Sequence, residues 1–417
     1  MRHIALLLVI VAMAMANRCT NGPTRQLQEW LANPVEDRTP LAQLDFATAP
    51  LTKKQAEAVQ QILYLDHQRR LKEIYEQQWN NRVLVLDGKK MPFYYQTFGS
   101  EPSGEKSLFI SLHGGGGTTP AVNNQQHENQ KHLYDDIMQK IGGVYLAPRA
   151  PTNNWNLWHE NHIDDFLSVI IQMAVAMENI NPNKVYLLGY SAGGDGVFQL
   201  TPRMADRWAA ASMMAGHPNE TSPLGLKNIP FAIHMGALDG SYNRNKKAAE
   251  WKTLLDDLER DAPGTYIHQV TLHEGKGHWM ELQDSVALPW MKGHQRNPYP
   301  TSVAWLQDDR HHTGFYWLAV PLDLIKTGGK VVAEYDPQQN ELNILSNYSE
   351  VLHLYMNDEM LNLDDTVTIK YQGNSIAKGL FKRSVLNIYE SLSAKGDVNL
   401  SFPTMVSVTN NQTVEAQ

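Results

Sequence analysis

The feature that most constrains this chain is an alternation. From Arg82 to Leu272, short apolar runs take turns with amphipathic stretches of helical period. Ser107–Leu112, Val144–Ala147, Val185–Leu188, Ala209–Met214 and Phe231–Met235 are mostly apolar, as strands are when both faces of their sheet are covered. Tyr266–Leu272 reads as one more strand, and Arg82–Leu86 with Phe93–Phe98 as a hairpin around Asp87-Gly88. Ile163–Glu178 and Lys246–Arg260 carry apolar residues at helical spacing. This succession predicts an α/β fold: a doubly wound, mainly parallel sheet with helices on both faces.

The flanks read differently. Beyond Gly293–Pro300 short strands dominate, with turns such as Gly328-Gly329 and Gly373-Asn374 between them, which predicts a small β-rich, sandwich-like domain over residues 296–417. Before the alternation, Lys53 to Asn80 runs without Pro or Gly and places Ala58, Ile62, Leu65 and Leu71 near helical spacing. Residues 17–80 are therefore expected to form a helical extension packed on the catalytic domain at 81–295. Residues 1–16 have the order of a signal peptide: Arg2-His3, an apolar stretch from Ile4, then Ala14-Met15-Ala16 as a cleavage site. Export follows from that reading. Cys19 is the only cysteine, so no intramolecular disulfide can form. Arg18 stands where a lipoprotein signal needs a small residue, which disfavours a lipid anchor. No other segment reads as a membrane span. A net charge of −8 over 417 residues, with no basic run interleaved with aromatics, argues against nucleic acid as partner.

The chemistry centres on Gly189-Tyr190-Ser191-Ala192-Gly193-Gly194, which follows one predicted strand and precedes a predicted helix. A serine on so sharp a turn needs glycines beside it, and the turn lifts its hydroxyl above the sheet edge at a helix N-terminus. Ser191 is the expected nucleophile. Leu112-His113-Gly114-Gly115-Gly116-Gly117 follows another strand, and its side-chain-free backbone suits an oxyanion hole. The donors expected are Ala192 and either Gly114 or Gly115. A phosphate loop is excluded because no Gly-Lys-Ser/Thr follows.

The orienting acid and base should follow the nucleophile in that order. Asp239 lies just after the strand Phe231–Met235, at the end where such sheets build their sites. His278 sits in the glycine-flanked loop Gly277-His278-Trp279, and His273, at a strand end, is its competitor. Asp195 follows Ser191 too closely to orient a base and suits a structural or capping role. Trp155 and Trp158 of the Asn153–His159 loop, Tyr190 beside the expected nucleophile, and Trp279 are the substrate-binding candidates, to stack a sugar or an aromatic group or to wall a pocket, with ordinary packing as the default reading of each. No metal site is expected: His127-Glu128 with His132 misses the H-E-x-x-H spacing by one residue, and His159/His162 and His311-His312 are ordinary pairs.

Together, Leu112–Gly117, Gly189–Gly194, Asp239 and Gly277-His278 resemble the α/β-hydrolase superfamily over roughly residues 80–295. The chain is most similar to exported esterases of the polyhydroxybutyrate-depolymerase-like and predicted-peptidase-like group, some of which carry a β-rich C-terminal extension. The resemblance implies a Ser191–His278–Asp239 triad, no cofactor, and a small-molecule or polymeric ester as substrate. A serine peptidase on the same fold, or an inactive binding protein, are the alternatives.

Overall fold

The computed structural model describes residues 22–102 and 105–416. The signal-peptide reading and Cys19 lie outside the described residues.

Eight strands form the central sheet: β1 (Val83–Leu86), β2 (Lys89–Phe98), β3 (Lys106–Leu112), β4 (Gly143–Pro148), β5 (Ile180–Tyr190), β6 (Ala210–Met214), β7 (Phe231–Gly236) and β8 (His268–His273). Their order is β1-β2-β4-β3-β5-β6-β7-β8. Only β2 runs against the rest, paired antiparallel with β1 and β4. From β4 to β8 every neighbouring pair is parallel. This is the mainly parallel, doubly wound sheet that the alternation predicts. β3, β4, β6 and β7 are buried along almost their whole length, as the apolar runs require. The chain steps from β3 to β4 on one side and then returns to lay β5 on the other side of β3. That reversal opens a crevice at the carboxyl ends of β3 and β5, where Leu112 pairs with Gly189.

Helices His162–Glu178, Ala192–Arg203 and Arg244–Asp261 cover the sheet. Among the helices without a counterpart in the sequence reading are Pro120–His132 and Val385–Lys395. The first is almost wholly polar (PAVNNQQHENQKH), so no apolar stripe announces it. The second lies among strands but is marked by Ser384, whose side chain accepts the Asn387 N–H.

The C-terminal region contains two five-stranded sheets. One holds Ser302–Leu306, Lys330–Asp336, Glu341–Asn347, Val367–Tyr371 and Asn374–Gly379; the other is built on Val351–Met356 and Thr404–Thr409. Alternate residues of both, such as Val331, Ala333 and Leu342 against Leu352, Leu354 and Val406, enter one apolar core. Gly314–Phe315 and Leu318–Ala319 pair antiparallel around Tyr316, which adopts φ 53°.

The long helix Lys53–Asn80 starts where Thr52 and Gln55 form a capping box. It joins both halves of the molecule. Trp79 enters the main core and donates its indole N–H to Glu178, while Val59 and Leu63 pack with Val385, Ile388 and Leu392. No helix among the described residues is long and apolar enough to cross a membrane.

Candidate active site

Ser191 stands between β5 and the helix Ala192–Arg203 with φ 57° and ψ −119°, a conformation a non-glycine residue adopts only when its surroundings hold it there. Its N–H donates to Met214 O (2.9 Å), and its carbonyl accepts the Asp195 N–H (3.0 Å). The glycines answer to contact rather than flexibility. A Cβ on Gly193 would lie 2.1 Å from Leu112 O, so the helix can only start this close to β3 without a side chain there.

Three side chains from three strand ends meet in one line. The Ser191 hydroxyl is 3.0 Å from His278 Nε2, and His278 Nδ1 is 2.7 Å from Asp239 Oδ2. The carboxylate accepts, so Nδ1 carries the proton and Nε2 is left to accept from the serine. Asp239 is buried, and its second oxygen lies 3.7 Å from the buried Arg244 guanidinium. The loops carrying Asp239 and His278 are sewn together: Ala237 N–H donates to His273 O and Leu238 N–H to Lys276 O. A Cβ on Gly236 would meet Gly277 O at 1.9 Å, so this approach also requires a bare backbone. The competitor, His273, is placed away from the serine. It is buried against His234, whose Nδ1 lies 3.1 Å from His273 Nε2.

The glycine loop after β3 is held by polar groups. Gly116 N–H donates to Asn123 Oδ1 (2.9 Å), and Gly114 lies beside the serine, where an added Cβ would be 3.3 Å from Ser191 Cβ. Asn123 is fully buried and donates from Nδ2 to Asn153 Oδ1 (3.0 Å), which also accepts from Arg149. His113, buried as well, accepts the Ala150 N–H at Nε2 and donates from Nδ1 to Gly114 O (2.6 Å). Burial pushes its pKa down to about 3, so the ring stays neutral and keeps that tautomer. Asn123 left no mark in the sequence because a carboxamide inside a polar helix reads as surface.

Two substrate-binding expectations need correction. Trp158 is fully buried; its indole N–H donates to His113 O (2.7 Å), so it supports the glycine loop from within. Tyr190 is also buried, and its hydroxyl donates to His278 O (2.6 Å) and accepts the Met280 N–H (3.0 Å). It braces the loop that carries His278. Trp155 and Trp279 are exposed, Trp155 against Gly117 and Trp279 against the Tyr190 ring. Asp195 is buried and accepts the His217 N–H (2.6 Å), in keeping with a structural role. Of the histidines weighed for metal, His127 bonds Ala147 O and His312 bonds Asp164.

Among solved structures, the chain resembles a thermostable esterase with TM-score 0.41 and 18% identity, over 52% of this chain and 64% of that one. It thus spans just under two thirds of that esterase. Est1E from Butyrivibrio proteoclasticus follows with TM-score 0.36 and 14% identity, over 51% and 95% of the two chains. An acetyl xylan esterase from Aspergillus awamori gives TM-score 0.36 and 12% identity, over 48% and 93%. No family model and no curated protein matches the sequence.

Proposed function

We propose that the chain is a serine hydrolase that cleaves carboxylic esters through an acyl-enzyme on Ser191. The observation that carries this reading is the unbroken hydrogen-bonded line from Ser191 through His278 to the buried Asp239. His278 takes the hydroxyl proton as Oγ attacks the acyl carbonyl. Asp239 keeps the imidazole in its tautomer and stabilises the imidazolium. The N–H groups of Ala192 and of Gly114 or Gly115 bind the oxyanion, aided by the N-terminus of the helix that begins at Ala192. His278 then protonates the leaving alcohol, activates water, and the acyl group leaves as an acid. This chemistry uses only side chains and backbone of the chain itself, with a small-molecule or polymeric ester as substrate. In the same reading residues 1–16 direct export and are removed, and the region 296–417 braces the catalytic domain.

The direct test is hydrolysis of 4-nitrophenyl acetate and butyrate against peptide 4-nitroanilides. The expected result is ester cleavage that Ser191→Ala lowers by about 10³-fold or more, with little amide cleavage. Amide cleavage without ester cleavage assigns a peptidase, and inactivity on both assigns a binding protein.

A further inference from the structure

Loops adjoining the glycine loop, the acid and the base each end on an exposed aromatic ring. Trp155 is 55% exposed, Tyr242 60% and Trp279 50%. Trp155 and Tyr242 face each other across a corner, their ring centres 5.6 Å apart and their planes at 59°. Each is held from behind. Trp155 lies against the glycine loop, with Cε3 3.0 Å from the place a Gly117 Cβ would take. Tyr242 is backed by the Arg244 guanidinium, 4.8 Å from its ring centre, and Arg244 is itself buried beside Asp239. Tyr242 and Asn243 both adopt left-handed φ, 55° and 57°, a conformation that must be compensated by what it positions. A surface ring fixed by strained backbone and a buried cation is preorganised to receive something.

The immediate neighbours indicate what that is. Asn154 and Asn156 flank Trp155, and Ser241 and Asn243 flank Tyr242; all four are exposed. Asn154 is oriented by its bond to Glu160 (2.6 Å). Carboxamides and hydroxyls both donate and accept. A sugar ring has an apolar C–H face for the aromatic planes and a rim of hydroxyls for the four polar groups. An alkyl chain or an aryl ring would use the planes and leave the polar groups unmatched. The site is also open: the His278 side chain is 44% exposed, which admits an ester carried on a longer chain.

We propose that the Trp155–Tyr242 corner is a saccharide-binding subsite and that the ester presented to Ser191 is borne on a carbohydrate. The second half rests on the hydrolase reading above. Calorimetric titration of the full-length Ser191→Ala chain with β-1,4-xylohexaose and with cellohexaose tests the subsite without turnover. Binding is expected, weakened about tenfold or more when Trp155→Ala or Tyr242→Ala is added, and partly restored by Trp155→Phe. In the active enzyme, the ratio of kcat/KM on acetylated xylohexaose to that on 4-nitrophenyl acetate should fall about tenfold in Trp155→Ala and in Tyr242→Ala. Absence of binding to both oligosaccharides, or an unmoved ratio, overturns the proposal. So does a loss confined to methyl ferulate, which would make the occupant an aryl ring. Binding by an enzyme that hydrolyses no ester would instead sink the hydrolase reading and leave the subsite standing.

Discussion

At the scale of single residues, the site depends on groups that never touch substrate. Asn123 is the clearest case: one buried carboxamide holds the Gly116 N–H and passes the constraint on to Asn153 and Arg149. Replacing it with Ala frees the glycine loop and leaves the polar groups of Gly116 and Asn153 unmatched. Asn123→Ala should lower kcat about tenfold or more with KM changed far less, because the oxyanion contact strengthens only in the transition state. Steady-state kinetics on a short-chain ester read this directly; an effect confined to KM contradicts the assigned role. Asp195 gives a prediction in pH. Burial pushes its carboxyl up to about 6, with the His217 N–H and Arg244 pulling the other way. A folded-state pKa above the ordinary 3.8 means that stability is full below that value and is lost as pH rises through about 6. Asp195→Asn keeps the oxygen that accepts from His217 and cannot ionise. The variant should therefore exceed the parent in stability above pH 6 by on the order of 3 kcal/mol, with the advantage gone near pH 4. Denaturant unfolding at several pH values checks it, and a difference that does not vary with pH contradicts it.

At the scale of elements, the parts most legible in sequence are those whose constraint is local. The long helix ends at Asn80 as its pattern predicts, and β3 through β7 lie on their apolar runs, because a strand covered on both faces has few other ways to look. The turn at Ser191 was readable because glycine is required within three residues of it. The glycine loop was readable for the same reason. What holds that loop was not. Asn123, His113 and Trp158 act through bonds to residues 7 to 45 positions away, and spacing alone carries no trace of such partners. Trp158 and Tyr190 illustrate the point from the other side: in sequence an aromatic near Ser191 can be a substrate wall or ordinary packing, and only burial distinguishes a brace from a wall. Tyr242 went unmarked because a tyrosine three residues past an acid has no signature until its left-handed backbone and its contact with Trp155 are seen.

At the scale of the whole molecule, the C-terminal region is fastened to the half that holds the eight-stranded sheet by buried charge as well as apolar surface. Arg296 bonds Asn183 and the Asp206 carbonyl and pairs with Asp397 at 2.7 Å. Lys395 pairs with the buried Asp206 and donates to Gly314 O. Lys395→Ala should destabilise the chain by about 3 kcal/mol, since it leaves the buried Asp206 charge only the longer contact to Arg207 (3.9 Å) and the Tyr316 N–H, and Asp206→Asn combined with Lys395→Met should recover much of that loss. Equal losses in the single and double variants would show that the pair does not fasten the halves in this way. That scaffold carries one central claim, that Ser191 is a nucleophile activated by His278. The measurement that meets it most directly is covalent labelling by a fluorophosphonate, read as the intact mass of the protein. The parent chain should gain a single adduct on Ser191, His278→Ala should label far more slowly, and Ser191→Ala should not label; an unlabelled parent, or undiminished labelling of Ser191→Ala, contradicts the account.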